Sequence, residues 1–302
     1  MSFIYKFLLS SKIKNDIQIN FNSTLNSLKP IDIKNISLIA PIKKKLLKLR
    51  KKNTAIQLNK EDRFLSLIVP YRHREEHLKI FLPTIKNYLE KQNIKYEIII
   101  VEQVDTLPFN KAKLMNIGAF NSTKESSYLI FHDVDLLPEN IDYHFKNHTT
   151  KLFNFIKKDS SYKEYGETTF GGAVLISKEI FYDINGFSNN YWQWGKEDDD
   201  FLMRHLFKGY IPFLDKKGRF LALEHEASLT RDVDGDYKED KSLLKRNKQL
   251  YKDNKRNFSN FKRGLLSQDN DGINSLQNYT IESTEAKNSI KTIKVNFTKL
   301  SR

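Results

Sequence analysis

Tyr128-Leu-Ile-Phe-His-Asp-Val-Asp135 decides how this chain is read. It begins as an apolar run rich in β-forming residues and ends in two aspartates separated by one residue, with Leu136-Leu137-Pro138 following. The run predicts a buried strand over Tyr128–Asp135, with the acids where the chain leaves the sheet. Ligands of open α/β sheets gather at the carboxyl ends of strands. Two carboxylates there suit a hard divalent cation such as Mn²⁺ or Mg²⁺, which takes oxygen ligands and bridges phosphate oxygens. In an extended segment Asp133 and Asp135 share one side of the chain. The plainer alternative is a turn or a helix cap with solvated acids.

Working outward, strand and helix patterns alternate. Phe64–Tyr71 reads as a strand. His73–Gln92 reads as a helix with Leu78, Phe81, Leu82, Ile85 and Leu89 on one face and a kink at Pro83. Tyr96–Glu102 is a second buried strand and Lys111–Phe120 a second helix. This order predicts a parallel sheet with right-handed crossovers, half of a nucleotide-binding α/β fold. Phe145–Lys158 is expected to be helical. Phe170-Gly171-Gly172 precedes an apolar strand, Ala173–Ile176. The glycine pair marks close approach of backbone to a ligand or a neighbouring strand, or else a plain turn. Lys178–Asp183 is a short helix, Asn185-Gly186 a turn, residues 231–262 partly helical, and Ser289–Phe297 a terminal strand.

With 302 residues, the chain fits one large domain or two small ones, and 39% hydrophobic content is enough for a core at this length. The absence of cysteine excludes disulfides, thiolate metal sites and cysteine nucleophiles. A net charge of +14 attracts polyanions: anionic lipid, acidic glycan, nucleotide phosphate. It is spread along the chain, so nucleic acid has no special claim. Met1–Ser10 is too short an apolar run to span a membrane and no cleavage site follows, so a cytoplasmic protein is expected. Residues 1–60 are set apart as a basic N-terminal extension to a domain over 61–302. In that extension, Ile42–Lys52 alternates basic and aliphatic residues. It suits a short helix lying on an anionic membrane, or one packed on the domain through Leu46, Leu47 and Leu49.

A second constellation is Asn189-Asn-Tyr-Trp-Gln-Trp-Gly-Lys-Glu-Asp-Asp-Asp200, which holds both tryptophans of the chain and four consecutive acids. Aromatic faces stack on sugar rings. The acids precede a helical pattern, Phe201–Phe207, whose N-terminus favours negative charge. Caps and core anchors are one reading. The other makes one carboxylate a general base for a sugar hydroxyl, which is a poor nucleophile until its proton is taken. Four acids exceed what capping needs, which favours the second reading. His225, in Leu221-Ala-Leu-Glu-His-Glu226, is either structural or a ligand completing coordination begun by Asp135.

In their order, these motifs resemble the β-1,4-galactosyltransferase family (glycosyltransferase family 7), inverting and metal-dependent enzymes of GT-A fold. The resemblance runs over about residues 64–297. It is carried by Pro70-Tyr-Arg-His-Arg74, Phe109-Asn-Lys-Ala-Lys-Leu-Met-Asn-Ile-Gly118, Asp133-Val-Asp135, Phe170-Gly-Gly172, Asn185-Gly-Phe187, the stretch 189–200 and Asp271-Gly-Ile-Asn-Ser-Leu276. It implies a GT-A nucleotide-sugar-binding fold with a central mixed, mostly parallel sheet flanked by helices. Pro70, Tyr71, Arg72, Arg74, Phe109, Lys111, Asp133, Val134, Thr169, Gly171, Gly172 and Trp194 would form the donor site. Trp194, Gly195, Glu197, Asp198 and Asp199 would meet the acceptor, with Asp198 as the base. Asp135 and His225 would bind Mn²⁺ or another divalent cation such as Mg²⁺. The implied partners are UDP-galactose or UDP-GalNAc and a glycan acceptor, with peripheral contact to an anionic membrane and no nucleic acid. A bacterial capsule or lipooligosaccharide is the expected product. The rival is a glycan-binding module that keeps the fold without catalysis.

Three positions depart from the family pattern. Ala222 stands where vertebrate members have a metal-binding methionine, and Lys196 replaces a glycine. Thr169 replaces the tyrosine of galactose-specific members, leaving room for a 2-N-acetyl group.

Overall fold

The computed structural model describes residues 63–158, 160–165, 170–193, 195–224, 230–231, 237–238, 241–259 and 271–298. The first 62 residues, and with them the reading of Ile42–Lys52, lie outside these.

The expected alternation is present. Strand β1 (Phe64–Tyr71) is followed by α1 (Glu75–Lys91), β2 (Lys95–Gln103), α2 (Lys111–Phe120) and β3 (Tyr128–His132). Next come β4 (Leu136–Asn140), β5 (Thr150–Lys151), β6 (Phe155–Lys158), β7 (Ser161–Glu164), β8 (Ala173–Ser177) and α3 (Lys178–Asp183). Then follow α4 (Glu197–Lys208), β9 (Phe213–Leu214), β10 (Arg219–Ala222), β11 (Thr230–Arg231), β12 (Tyr237–Lys238) and α5 (Lys241–Ser259). The last elements are a 3₁₀ turn, Gly272–Ser275, and the hairpin β13 (Tyr279–Lys287) and β14 (Ile290–Phe297).

Eight strands form the main sheet in the order β13-β14-β2-β1-β3-β8-β5-β9. The pairs β14/β2, β2/β1, β1/β3 and β5/β9 are parallel, whereas β13/β14, β3/β8 and β8/β5 are antiparallel. β1 sits centrally because it is apolar on both faces. Leu65, Leu67 and Val69 pack with Phe81, Ile85 and Leu89 of α1, while Ile68 packs on the other face with Leu114 and Ile117 of α2 and Phe201 of α4. That division is the period-two alternation of a strand between two helical layers. Pro83 lies inside α1, which runs on through it.

Two expectations are corrected. Phe145–Lys158 contains two short strands. β5 pairs with β8 and β9, and β6 pairs with β10 and β7. The stretch holds Thr149, Thr150, Phe153, Phe155 and Ile156, which suit strands, and β8 takes β5 as its neighbour. Secondly, β3 stops at His132. The amide of Asp133 donates to the Gly172 carbonyl at 2.8 Å, and that of Leu136 to the Asp133 carbonyl at 3.4 Å. Asp133-Val-Asp135 is therefore a turn, and the two aspartates do not share one side of a strand. It leads into a smaller sheet of order β4-β10-β6-β7.

Candidate active site

The site is built where β1 and β3 end and β8 begins. Asp133 follows β3, Gly171 and Gly172 precede β8, and the backbone bond from Asp133 to Gly172 ties the two together. Lys111 is the first residue of α2, a helix capped by Asn110, whose side chain accepts from the Lys113 amide at 2.9 Å. That placement sets Lys111 Nζ 2.8 Å from Asp133 Oδ1. Burial pulls the lysine pKa down, but Asp133, Asp198 and Glu197 outweigh it, and the ammonium is held above its ordinary range. Asp133 is pushed up to about 6 by burial, against Lys111, with Asp135 adding to the rise. Buried His132 donates from Nδ1 to the Asp133 carbonyl at 2.8 Å and accepts at Nε2 from Tyr143 Oη at 2.9 Å, and so holds the turn. Burial holds it neutral, at about 4.

The four acids opening α4 have four different fates. Asp200 is fully buried and structural: it accepts from Arg204 Nε at 2.8 Å, Asn254 Nδ2 at 2.7 Å and Tyr191 Oη at 3.1 Å. Asp199 is paired with Lys196 Nζ at 2.6 Å. Glu197 accepts from the Gly195 amide at 3.1 Å; burial first, then the Asp198 charge, push it up to about 8. Asp198 points across at Gly171. A methyl group there would overlap its carboxylate, standing 2.5 Å from Cγ. One run of acids therefore mixes residues tied into the structure with one, Asp198, that faces the start of another strand.

This helix start is set by unusual backbone. Lys196 has φ +79°, a left-handed conformation costing about 1–2 kcal/mol in an L-residue. The strain is offset by its bond to Asp199 and by the Tyr251 ring 5.3 Å away. Upstream, Asn189 donates to Gly272 O at 2.7 Å and accepts from Asn116 Nδ2 at 2.8 Å, and the Gln193 amide donates to Phe109 O at 2.7 Å. The stretch 189–193 is thereby pinned to the start of α2 and to the Asp271–Leu276 segment.

Two guanidinium groups end β1. Arg72 donates through Nη1 to Leu107 O at 2.6 Å, while its buried Nε and the buried Nη1 of Arg74 have no hydrogen-bond partner among the described residues. Burial lowers the Arg72 pKa. Orphaned cationic donors of this kind fit an anion with several oxygens, as a diphosphate has. For a divalent cation the donor chemistry also fits. Asp133 and Asp135 are hard oxygen donors, and the Asp135 charge adds to the rise of Asp133. The β4–β10 register pairs Leu136 with Ala222, and the Leu223 amide donates to Asp135 O at 2.8 Å. The chain just before His225 therefore runs alongside Asp135. His225, Trp194 and Thr169 themselves lie outside the described residues.

Lys151 was not anticipated as a site residue. It is fully buried on β5 and feels the Asp198 charge, although burial lowers its pKa to about 8. A lysine amid Thr-Thr-Lys-Leu-Phe is the available signal, and a helical reading of the stretch hides it.

Residues 23–147 match the family described as the N-terminal region of glycosyl transferase group 7, and residues 151–226 one described as the N-terminal domain of galactosyltransferase. The chain belongs to the glycosyl transferase group 7 family. The first match begins inside the segment set apart above as an extension. Relatives include β-1,4-galactosyltransferase 4 of Cricetulus griseus, 35% identical over 187 residues (60% of this chain, 53% of the relative). Another is β-1,4-galactosyltransferase 7 of Homo sapiens, 37% identical over 142 residues (46% and 43%). The chain spans about half the length of the curated relatives it matches. Among solved structures, the catalytic domain of Drosophila β-1,4-galactosyltransferase 7 in complex with xylobiose superposes with TM-score 0.61 at 25% identity, over 78% of this chain and 94% of that one. A mutant of the same enzyme, in complex with manganese, UDP-Gal and xylobiose, gives TM-score 0.61 at 24% identity over the same shares of the two chains. The fold is GT-A: a mixed, mostly parallel sheet flanked by helices.

Two outcomes are expected. Gly171→Ala displaces the Asp198 carboxylate, the mobile end of a side chain, so melting should barely change. A misplacement of about 1 Å costs reaction steps about 10²-fold, and a reaction that uses the Asp198 carboxylate should slow by that order. Unchanged kinetics would remove Gly171 as the rest for Asp198. The second outcome concerns pH. The folded-state pKa of Glu197 is raised, from 4.5 to about 8. Its contribution to stability is complete below the ordinary value and is lost as pH rises through that window. In chelator, the wild-type melting temperature should therefore decline relative to Glu197→Gln between those limits. Parallel melting curves would contradict this.

Proposed function

We propose that the chain transfers galactose or N-acetylgalactosamine from its UDP conjugate to a hydroxyl of a glycan acceptor, with inversion at the anomeric carbon. The observation that carries this is Asp198, held at the start of α4 against Gly171 and beside the Lys111–Asp133 pair. Membership of the family, and the complexes of the Drosophila relative, support the donor and the cation.

In this reading Asp198 takes the proton of the acceptor hydroxyl as its oxygen attacks the anomeric carbon. The bond to the diphosphate breaks on the opposite face. Arg72 and Arg74 bind the departing UDP through their orphaned donors, with Lys111 beside it, and Asp133 meets the donor sugar. Asp135 and His225 would hold Mn²⁺ or a similar cation, whose charge offsets that growing on the leaving diphosphate. Trp194 would span donor and acceptor, and Glu197 and Asp199 would help to hold the acceptor sugar. Thr169, smaller than tyrosine, admits the 2-N-acetyl group. Comparable donor ratios for wild type and Thr169→Tyr would count against that last assignment.

The cysteine-free, Lys/Asn/Ile-rich composition supports a setting in bacterial capsule or lipooligosaccharide synthesis at the inner membrane face. Cell fractionation finding no membrane association at low salt would tell against it.

The test is UDP release from UDP-galactose and UDP-GalNAc with Mn²⁺, Mg²⁺ or chelator, across acceptors ending in GlcNAc or glucuronate. Metal-dependent release stimulated by an acceptor is expected. Absence of UDP binding under all conditions would overturn the proposal.

A further inference from the structure

Helix α5 carries a feature that the transfer reaction does not use. Lys241, Lys245, Lys248 and Lys252 are all exposed, and their spacing of four, three and four places them on one stripe of the helix. The stripe is about 16 Å long, from a rise of about 1.5 Å per residue. None of the four makes an ion pair among the described residues. The helix has one acid, Asp253, against seven lysines and arginines, and Gln249 Nε2 donates to Asp253 at 2.9 Å. Like charges at these spacings repel one another and disfavour the isolated helix. A solvated face gains nothing from such a row.

The opposite face of α5 is bound to the acceptor side of the site. Arg246 Nη1 donates to Asn190 O at 2.9 Å and Asn247 Nδ2 to Trp192 O at 2.8 Å. Asn254 Nδ2 donates to Asp200 at 2.7 Å. Leu244 lies where a side chain at Gly195 would meet it, 3.4 Å away. Tyr251, beside Lys252 in the chain, places its ring under Lys196, whose ammonium stands two residues before Asp198. Cations therefore continue from the acid run at the catalytic end out along the exposed face of α5.

We infer that the α5 lysine stripe is a docking surface for an acidic glycan, and that the acceptor is a polyanionic oligosaccharide rather than a neutral one. The inference rests on the glycosyltransferase reading for the word acceptor, but not for the binding. A linear array of cations without an ion-pair partner among the described residues complements a linear polymer with a negative charge at regular intervals. Its position beside the acceptor segment favours the growing glycan over a lipid surface. The extra contact lies away from the reacting sugar, so it tightens binding of long acidic acceptors without changing the chemical step.

The test uses the full chain and the triple variant Lys245→Gln, Lys248→Gln, Lys252→Gln, whose exposed positions leave the fold intact, with thermal melting as the control. The probes are a fluorescent hexasaccharide of alternating glucuronate and N-acetylglucosamine, and neutral chitohexaose. Fluorescence anisotropy gives binding, and UDP release gives KM and kcat. Wild type should bind the acidic probe about tenfold or more tightly than the neutral one, and high salt should abolish the preference. The variant should lose the preference through KM, with kcat unchanged. Equal binding of the two probes by wild type, or a preference that survives in the variant, would overturn the inference. So would a variant that loses only its sedimentation with phosphatidylglycerol vesicles, because the stripe would then serve a lipid surface. If no UDP-sugar turns over but acidic binding still depends on the stripe, the transferase reading fails and the docking surface stands.

Discussion

Asp198→Asn should slow sugar transfer steeply and leave UDP bound. The substitution keeps the shape of the side chain against Gly171 and removes its ability to take a proton. A positioned general base contributes about 10²–10⁴-fold, and a loss of that order is expected in kcat. The donor side should not suffer, because Lys111 keeps its 2.8 Å bond to Asp133 and both β1 guanidiniums are untouched. Stability should hold or rise slightly. Removing one charge from beside Glu197 and Asp133 relieves repulsion that contributes to raising both. The neighbouring acids supply the contrast. Asp200→Asn acts on a buried ion pair and should cost stability first. Asp199→Asn breaks a bond to Lys196 and should free that lysine. Calorimetric titration with UDP and Mn²⁺, run beside the UDP-release assay, separates these cases. Transfer within about tenfold of wild type would show that Asp198 is not the base.

The largest stability effect should come from Arg204→Ala. Arg204 is 2% exposed and bridges Asp200 at 2.8 Å and Asp271 at 2.7 Å. Through Asp271 it also orders the Asn189 amide, which donates to Asp271 Oδ1 at 2.8 Å. Truncation leaves two carboxylates in a buried setting without their counter-charge. Breaking a buried pair in this way costs about 3–5 kcal/mol. At about 2–4 °C per kcal/mol for a domain of this size, the melting temperature should fall by about 10 °C. Adding Asp200→Asn and Asp271→Asn to the variant should recover part of the loss, since the uncompensated charges are then gone. A drop of less than about 2 °C for Arg204→Ala would mean that the network relaxes or hydrates readily. Transfer at low temperature should also weaken, because the segment before Asp198 loses its anchor at residue 271.

Local periodicity made the core legible. Phe64–Tyr71 and Lys111–Phe120 occur with the expected bounds, and Tyr96–Glu102 extends by one residue at each end. Their apolar patterns are continuous, so they can be read without knowing which strands they pair with. The parts that were misread depend on distant partners. β6 is held by β10, with Ile156 opposite Phe220, a pairing across more than sixty positions of sequence. β13 was missed because it is largely exposed and polar on both faces, so no alternation marks it. The acid run of α4 shows the same limit at the site. Sequence indicates a surplus of carboxylates there, but not which one is spare. That depends on Arg204 one turn later, on the left-handed turn at Lys196, and on Gly171 arriving from another strand. Lys151 escaped notice because a buried lysine resembles a surface lysine until β5 is placed inside the sheet.

The anomeric configuration of the product is the most direct measurement. Wild-type enzyme is incubated with an α-linked UDP-sugar, Mn²⁺ and an acceptor, and the new linkage is read from its anomeric proton coupling by NMR. A single displacement with Asp198 as base predicts a β-linked product. An α-linked product would contradict it, because attack would then have come from the face that UDP leaves.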